Sequence, residues 1–122
     1  MAYPGSQYYN PDLTPDERDA LLRRNYLLLA VSQAALGLLG REVVGMAVEP
    51  RPGEVVIHVA VTRETSALAE DLVEIVGDLE AFLSGGPEQG SVITTQVHLG
   101  WPDAVWHTGS YAPFYIAKPM VD

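Results

Sequence analysis

Two valine-rich stretches joined by a short proline and glycine segment place the strongest constraint on how this chain folds. They run from Glu42 to Glu49 and from Glu54 to Thr62, and Pro50-Arg51-Pro52-Gly53 joins them. Valine favours strands, and a connection of this length and composition is typical of a hairpin. Alternate residues of a strand face opposite sides of the sheet, so one set of four should point to the core. That set is Val55, Ile57, Val59 and Val61.

Helix signals flank this hairpin on both sides. Thr14-Pro15-Asp16-Glu17 combines an N-cap, a proline at the first helical position and a capping-box glutamate. We expect the first helix to run to about Leu39 and to stop at Gly40, because glycine permits a left-handed C-cap. Thr65 or Ser66 should cap a second helix. The apolar stripe of that helix consists of Leu68, Leu72, Ile75, Val76, Leu79, Phe82 and Leu83.

Two further strands complete the expected fold. Val92 to Leu99 is the third, and Phe114 to Lys118 is the fourth, which Pro113 and Pro119 either place on an edge or bound tightly. The order α-β-β-α-β-β predicts a two-layer α+β fold, with two helices on one face of a mostly antiparallel four-stranded sheet. We expect residues 1–13 to form a flexible N-terminal tail and residues 14–122 a single domain.

Charge and composition narrow the classes of partner. The formal net charge of −9 argues against nucleic acid and anionic membrane, both of which need a basic surface. The N-terminus has no signal-peptide pattern and the chain has no cysteine, so we expect a cytoplasmic protein without disulfides or a thiolate metal site. The first helix carries apolar residues around most of its circumference, which predicts burial by a second subunit and hence a homodimer.

The segment from Glu64 to Glu80 concentrates acidic residues with no intervening base. On a helix, Glu70, Glu74 and Asp78 fall at i, i+4 and i+8, so their carboxylates share one exposed stripe beside Asp71. We call these four residues the acidic surface. Like charges at this spacing repel, and a basic partner would offset that cost. An ordinary solvated helix face is the other interpretation of such a run.

The segment between the last two strands carries the residues best suited to chemistry or ligand binding. Trp101, Trp106 and Tyr111 offer apolar area together with hydrogen-bond donors, as ligand pockets do. His98 with Asp103, and His107 with Tyr111, could form acid-base pairs in which one side chain orients an imidazole. The alternatives are an aromatic loop that folds back as a lid on the sheet, and strand histidines satisfied by backbone carbonyls.

No metal, cofactor or nucleophile motif stands out. His58, His98 and His107 form no short metal-binding pair, and His58 and His98 belong to different expected strands. The serines lie outside any Gly-x-Ser-x-Gly pattern, and the glycine pairs lack the lysine of a phosphate-binding loop. We therefore predict no metal site and no cofactor.

Several segments together resemble the small bacterial immunity proteins of contact-dependent growth inhibition and related polymorphic toxin systems. The resemblance covers about residues 18–119. The segments are Ala35-Leu36-Gly37-Leu38-Leu39-Gly40, the valine hairpin, the acid-lined helix Leu68 to Leu83, Trp101-Pro102 and Tyr115-Ile116-Ala117-Lys118-Pro119. This resemblance implies an α+β antitoxin without activity of its own, which binds a cognate toxin domain and blocks its active site. It also implies that Glu70, Asp71, Glu74 and Asp78 face the toxin.

Three hypotheses of function follow. The leading one is a non-enzymatic, immunity-like inhibitor that presents an acidic helix to a basic toxin or nuclease domain. The alternative is a small enzyme or ligand-binding protein of a biosynthetic pathway. Its pocket would lie under the Trp101 to Tyr111 loop, with His98 or His107 as acid or base. The third is a dimeric structural domain in which the first helix and the aromatic loop only build the interface.

Overall fold

The computed structural model describes residues 3, 12–38, 40–107 and 109–118. Along the chain it contains α1 (Pro15–Ala34), β1 (Val43–Arg51), β2 (Glu54–Val61), α2 (Ser66–Leu83), β3 (Val92–Leu99) and β4 (Ala112–Ile116). A 3₁₀ helix (Ala104–His107) stands between β3 and β4 and is an addition to the expected order. Among these described residues, no helix has both the length and the apolar character needed to cross a membrane.

The four strands form one mixed sheet in the order β3-β2-β1-β4. β1 pairs antiparallel with β2 and with β4, whereas β3 runs parallel to β2. The expectation of a mostly antiparallel sheet is therefore wrong for β3. The physical reason is the connection: α2 carries the chain back along the sheet between β2 and β3, and a helical crossover of this length produces parallel neighbours.

The hairpin and the capping signals fold as their residues predict. Gly53 at the turn has φ +69°, a left-handed conformation that glycine adopts without steric cost. Glu17 N–H donates to Thr14 Oγ1 at 3.1 Å, and Thr14 N–H donates back to Glu17 Oε1 at 3.2 Å, which closes the capping box. Thr65 caps α2, because its Oγ1 accepts from the N–H of Leu68 at 3.0 Å.

The first helix is shorter than expected. It ends at Ala34 with Ala35 as C-cap, rather than near Leu39 and Gly40. The left-handed glycine is Gly37, with φ +80°, so the first glycine after the apolar run turns the chain out of the helix. Leu39 lies outside the described residues.

The main core lies between the helices and one face of the sheet. The expected set from β2 is buried there with Leu68, Leu72, Ile75, Leu79 and Leu83 of the predicted α2 stripe, and Val76 is partly buried against them. The prediction is wrong for Phe82, which is 50% exposed. Most apolar residues of α1 are also covered within the monomer, although Leu29 of α1 and Leu36, just after the helix, stay 62% and 77% exposed. The expectation that a second subunit covers α1 thus loses most of its basis, while the homodimer itself stays a prediction.

The opposite face of the sheet is also covered, by the chain between β3 and β4. Trp106 packs there with Val44, Ala47 and Ala60, and Tyr111 contacts this second cluster. A Cβ on Gly45 of β1 would stand 2.5 Å from Cγ of Pro102, so the loop approaches the sheet as closely as glycine allows. This cover explains why Val56 and Ala60, on the face opposite the main core, are fully buried.

Candidate functional site

The acidic surface lies on the solvent side of α2. Glu70, Glu74 and Asp78 are exposed and Asp71 is half-buried, opposite the apolar stripe that packs into the core. The ion pairs of the described residues involve Arg18, Arg23, Arg51 and His58 as cations, and none of them reaches these four carboxylates. The acidic surface is therefore uncompensated within the described part of the chain.

A second group of polar side chains lies on the loop-covered face of the sheet. Glu49, at the end of β1, accepts a hydrogen bond at Oε1 from Nε2 of His58, at 2.9 Å. Arg51 Nη2 donates to the same oxygen at 2.9 Å, and the hydroxyl of Ser110 donates to Oε2 at 2.8 Å. Nδ1 of His58 lies 2.8 Å from Nε2 of His98. We call Glu49, His58, His98 and Ser110 the histidine network.

The sheet topology assembles this network. In the parallel register, His58 stands opposite Gln96 and Ala60 stands opposite His98, so the two histidines are diagonal neighbours on one face. On the other side of β2, His58 stands opposite Ala47 of β1, two residues before Glu49. Ala47 and Ala60 are small, and this leaves room for the imidazole of His58 between the strands.

Hydrogen bonding fixes the tautomers along the network. A carboxylate only accepts, so His58 donates its Nε2 proton to Glu49 and keeps a lone pair on Nδ1. Nε2 of His98 must then carry the proton that this lone pair accepts. The remaining nitrogen of His98, Nδ1, is left with a lone pair and has no hydrogen-bond partner among the described residues. It is the one basic end of the network.

Aromatic rings cover His58 on two sides. Tyr111 stacks on it with ring centroids 3.8 Å apart and planes inclined by 21°. Trp106, only 3% exposed, meets His58 and His98 edge-on at 6.2 and 5.6 Å. His58 itself is fully buried, whereas His98 is half-buried on the edge strand. Of the two histidines, only His98 is within reach of solvent.

The electrostatics of the network favour a neutral His58 and a charged Glu49. Burial lowers the pKa of His58 from its ordinary value of 6.5, against the opposing effect of its hydrogen bond to Glu49. Burial raises the pKa of Glu49, but hydrogen bonds from Arg51, His58 and Ser110 outweigh it and hold that pKa at about 2. Burial also raises the pKa of Tyr111, and nearby Glu49 adds to that effect.

The structure groups the expected site residues differently from the sequence analysis. The hydrogen-bond partner of His98 is His58, whereas Asp103 accepts instead from the N–H of Val105 at 3.0 Å. His107 is exposed on the 3₁₀ helix, and Tyr111 stacks on His58. Of the two tryptophans, Trp106 is buried and Trp101 is 48% exposed.

The roles of Glu49, His58 and Ser110 in this network were not predicted from the sequence. One signal was available, since Val55 to Val61 is an almost unbroken apolar run, which is typical of a strand buried on both faces. A histidine within such a run needs a buried polar partner. Glu49 supplies it from β1.

Within the described part of the chain, the histidine network coincides neither with a metal centre nor with the two cavities beside the helices. Within the described ranges, no group of three or more potential ligands is arranged to hold a metal ion. A cavity of about 410 Å³ lies between the end of α1 and β4, and another of about 360 Å³ lies between α2 and β3. The histidine network lines neither cavity, because Trp106 and Tyr111 pack directly against it.

Comparison with known proteins leaves the family open. No protein-family model matches the sequence, and no curated protein is significantly similar to it.

Proposed function

We propose that this protein is a non-enzymatic binding protein, an immunity-like inhibitor that presents the acidic surface of α2 to a basic toxin or nuclease domain. The observation that carries the proposal is the absence of any ion pair to Glu70, Asp71, Glu74 or Asp78 among the described residues. Three of the four carboxylates are exposed on a regular helix and are available to a partner.

Electrostatic energetics supports this use of the helix. Carboxylates at i and i+4 destabilise a helix by roughly 0.2–0.5 kcal/mol per pair, a cost that a cationic partner removes on binding. The net charge of −9 adds a long-range attraction for basic proteins, which accelerates association and disfavours acidic partners. Both effects require the acids to be free in the unbound protein.

The direct test is a titration by calorimetry, at physiological salt, against a purified basic toxin or nuclease domain, taken from the neighbouring gene where that gene encodes one. The variant Glu70→Gln/Glu74→Gln/Asp78→Gln should bind at least about tenfold more weakly, which corresponds to 1.4 kcal/mol. The matched control is Asp16→Asn/Asp19→Asn/Glu64→Gln, which changes net charge equally at exposed positions outside the acidic surface. It should stay close to wild-type affinity.

Three results would contradict the proposal. The first is the absence of any binding to that domain. The second is an equal loss of affinity in both triple variants, which would mean that the net charge alone determines binding. The third is unchanged affinity of the first variant. Circular dichroism should show both variants folded, because all six positions are exposed.

The histidine network favours a second candidate function, acid-base chemistry or ligand binding at Nδ1 of His98. The supporting observation is the chain of hydrogen bonds from Glu49 through His58 to His98, at 2.9 and 2.8 Å. In many hydrolases a carboxylate orients an imidazole and so fixes which ring nitrogen keeps its lone pair. Here a second imidazole, His58, lies between the two.

Chemical modification tests whether His98 is available for this chemistry. Diethyl pyrocarbonate acylates an unprotonated, accessible imidazole nitrogen, and mass spectrometry locates the adduct. If His98 serves a ligand, it should react at least as fast as exposed His107, and Glu49→Gln should change its rate but not that of His107. If His98 does not react while His107 does, the network only holds the loop on the sheet.

A further inference from the structure

The outer edge of β3 is a regular strand edge without any of the usual protection. β3 pairs with β2 one to one over eight residues, from Glu54 opposite Val92 to Val61 opposite Leu99, with no bulge. It is the end strand of the sheet, so its other edge has no partner among the described residues. It contains no proline and no Asp, Glu, Lys or Arg. Such an edge is a template for another strand.

The opposite edge of the same sheet shows the contrast. β4 is only five residues long, contains Pro113, and pairs with β1 through a register shift between Met46 and Ala47. Short length, proline and irregular register are the devices by which natural sheets prevent edge-to-edge pairing. This chain protects one edge and leaves the other open.

An apolar strip of α2 continues the open edge. Ala69, Leu72, Val73 and Val76 line a cavity of about 360 Å³ together with Thr95 of β3. Val73 is 75% exposed, as is Leu99 at the end of the strand. Around the helix, Glu74 and Asp78 project about 100° and 140° away from Val73, whereas Glu70 projects about 60° away and borders the strip.

We propose that β3 pairs antiparallel with β3 of a second copy of this chain, about a two-fold axis, and joins two sheets into one of eight strands. The α2 strips, including Val73, would meet across the same axis. This inference is independent of the proposed function, because β3 contributes no residue to the acidic surface and the α2 strip borders that surface only at Glu70. It also moves the interface of the expected homodimer from α1 to β3.

The positions of two charged residues, Glu80 and Arg63, indicate that the strand that pairs with β3 belongs to a second copy of this chain. Glu80 and Ile93 line one cavity, which places this acid beside the first residues of β3. Arg63 follows β2 by two residues, at the end where Gly100 N–H donates to Val61 O at 2.7 Å, beside the last residues of β3. Neither Glu80 nor Arg63 has an ion-pair partner among the described residues.

Antiparallel pairing of two identical strands brings the start of one against the end of the other. Glu80 of each copy therefore approaches Arg63 of the other, twice in the symmetric dimer. Two copies that each carry −9 can associate through this face, because β3 itself bears no carboxylate.

Sedimentation equilibrium of the full chain, over a wide concentration range, tests the inference. The wild type should show a monomer-dimer equilibrium. Val73→Glu should weaken dimerisation about tenfold or more, because it places an unpaired charge in the interface. Ala81→Glu is the matched control, an equal charge change at an exposed position on the outward side of the same helix. It should leave the dimer close to wild type.

Exchanging the charges of Arg63 and Glu80 tests the antiparallel orientation of the two β3 strands. Arg63→Glu and Glu80→Arg should each weaken the dimer, and the double variant should recover most of the loss, because it rebuilds the pair with signs reversed. A monomer at every concentration would overturn the proposal, as would a dimer that Val73→Glu leaves unchanged. Failure of the double variant to recover would overturn the antiparallel arrangement. If β3 instead pairs only with a strand of the toxin, the wild type will be a monomer and Val73→Glu will abolish toxin binding. That result would also overturn the proposal.

Discussion

Nδ1 of His58 and Nε2 of His98 lie 2.8 Å apart across two parallel strands, and this contact joins the edge of the sheet to its centre. Through His58, the contact continues to Glu49 and to the loop residue Ser110. The aromatic loop is thus held on the sheet by a buried polar network as well as by Trp106. Buried networks of this kind are stabilising only while every member keeps its partner and its protonation state.

Protonation of His58 should make the protein less stable in mild acid. Its folded pKa lies below the ordinary 6.5, so the folded state resists protonation. The contribution of neutral His58 is complete above pH 6.5 and is lost as the pH falls toward the folded pKa. We expect urea unfolding to show a fall in stability between pH 7 and pH 5. His58→Gln, which keeps a donor and an acceptor without titrating, should reduce that fall, and an identical fall in this variant would refute the prediction.

Glu49 should contribute a second, lower acid transition. Its pKa of about 2 in the folded protein lies below the ordinary 4.5, a difference worth on the order of 3 kcal/mol. This stability is present above pH 4.5 and is lost as the pH falls toward about 2. Glu49→Gln should therefore be much less stable than wild type at pH 7, and the gap should narrow below pH 4. A gap that stays constant over this range would argue against the assigned pKa.

The two tryptophans of the loop should differ sharply in their effect on stability. Trp106 is 3% exposed and packs on the sheet, so Trp106→Ala should cost about 3–5 kcal/mol of unfolding free energy. Trp101 is 48% exposed, and Trp101→Ala should cost less than about 1 kcal/mol. Denaturant unfolding of the two variants at pH 7 measures both values. Equal losses would mean that the loop is not closed on the sheet through Trp106.

Two glycines should respond to alanine in opposite directions. A Cβ at Gly45 would stand 2.5 Å from Cγ of Pro102, so Gly45→Ala must push the loop off the sheet and should destabilise the protein. Gly77 is helical with open space around it, so Gly77→Ala should stabilise α2 by about 0.5–1 kcal/mol. Thermal melts of both variants decide this. A neutral Gly45→Ala would show that Pro102 does not pack against β1.

The N-terminal tail should add stability without being needed for folding. Most of residues 1–13 lie outside the described residues, but Tyr3 packs edge-on against Tyr26 and donates to the carboxylate of Glu88. Burial, together with Glu88, raises the pKa of Tyr3 to about 12. The contribution of Tyr3 should be present below pH 10 and lost as the pH rises toward 12. A protein shortened to start at Leu13 should fold, with a loss of about 1 kcal/mol at pH 7, and failure to fold would place the tail in the core.

The sequence predicts the local elements well because their signals are local. The capping box at Thr14, the turn at Gly53 and the alternation of Val55 to Val61 depend only on neighbouring residues. The pairing partner of β3 was harder to predict, since alternation identifies a strand but not its neighbour. The parallel pairing with β2 is what brings His98 to His58, so the histidine network depends on a strand pairing that the sequence did not predict.

The position at which α1 ends was also not determined by local signals alone. Gly37 and Gly40 are both able to end α1, and the choice of Gly37 depends on where the chain must turn to enter β1. The exposure of Glu70, Glu74 and Asp78 followed from helical periodicity alone, but periodicity does not specify what binds them.

The most direct test of the proposed inhibitor function is the salt dependence of association with the same basic toxin or nuclease domain. Stopped-flow rate constants should fall steeply for the wild type as salt rises, because screening removes the attraction of the acidic surface. For Glu70→Gln/Glu74→Gln/Asp78→Gln the low-salt rate should be lower and the slope shallower, while Asp16→Asn/Asp19→Asn/Glu64→Gln keeps a slope near wild type. If the first triple variant and the wild type associate with the same rate and the same slope, the acidic surface is not the binding site.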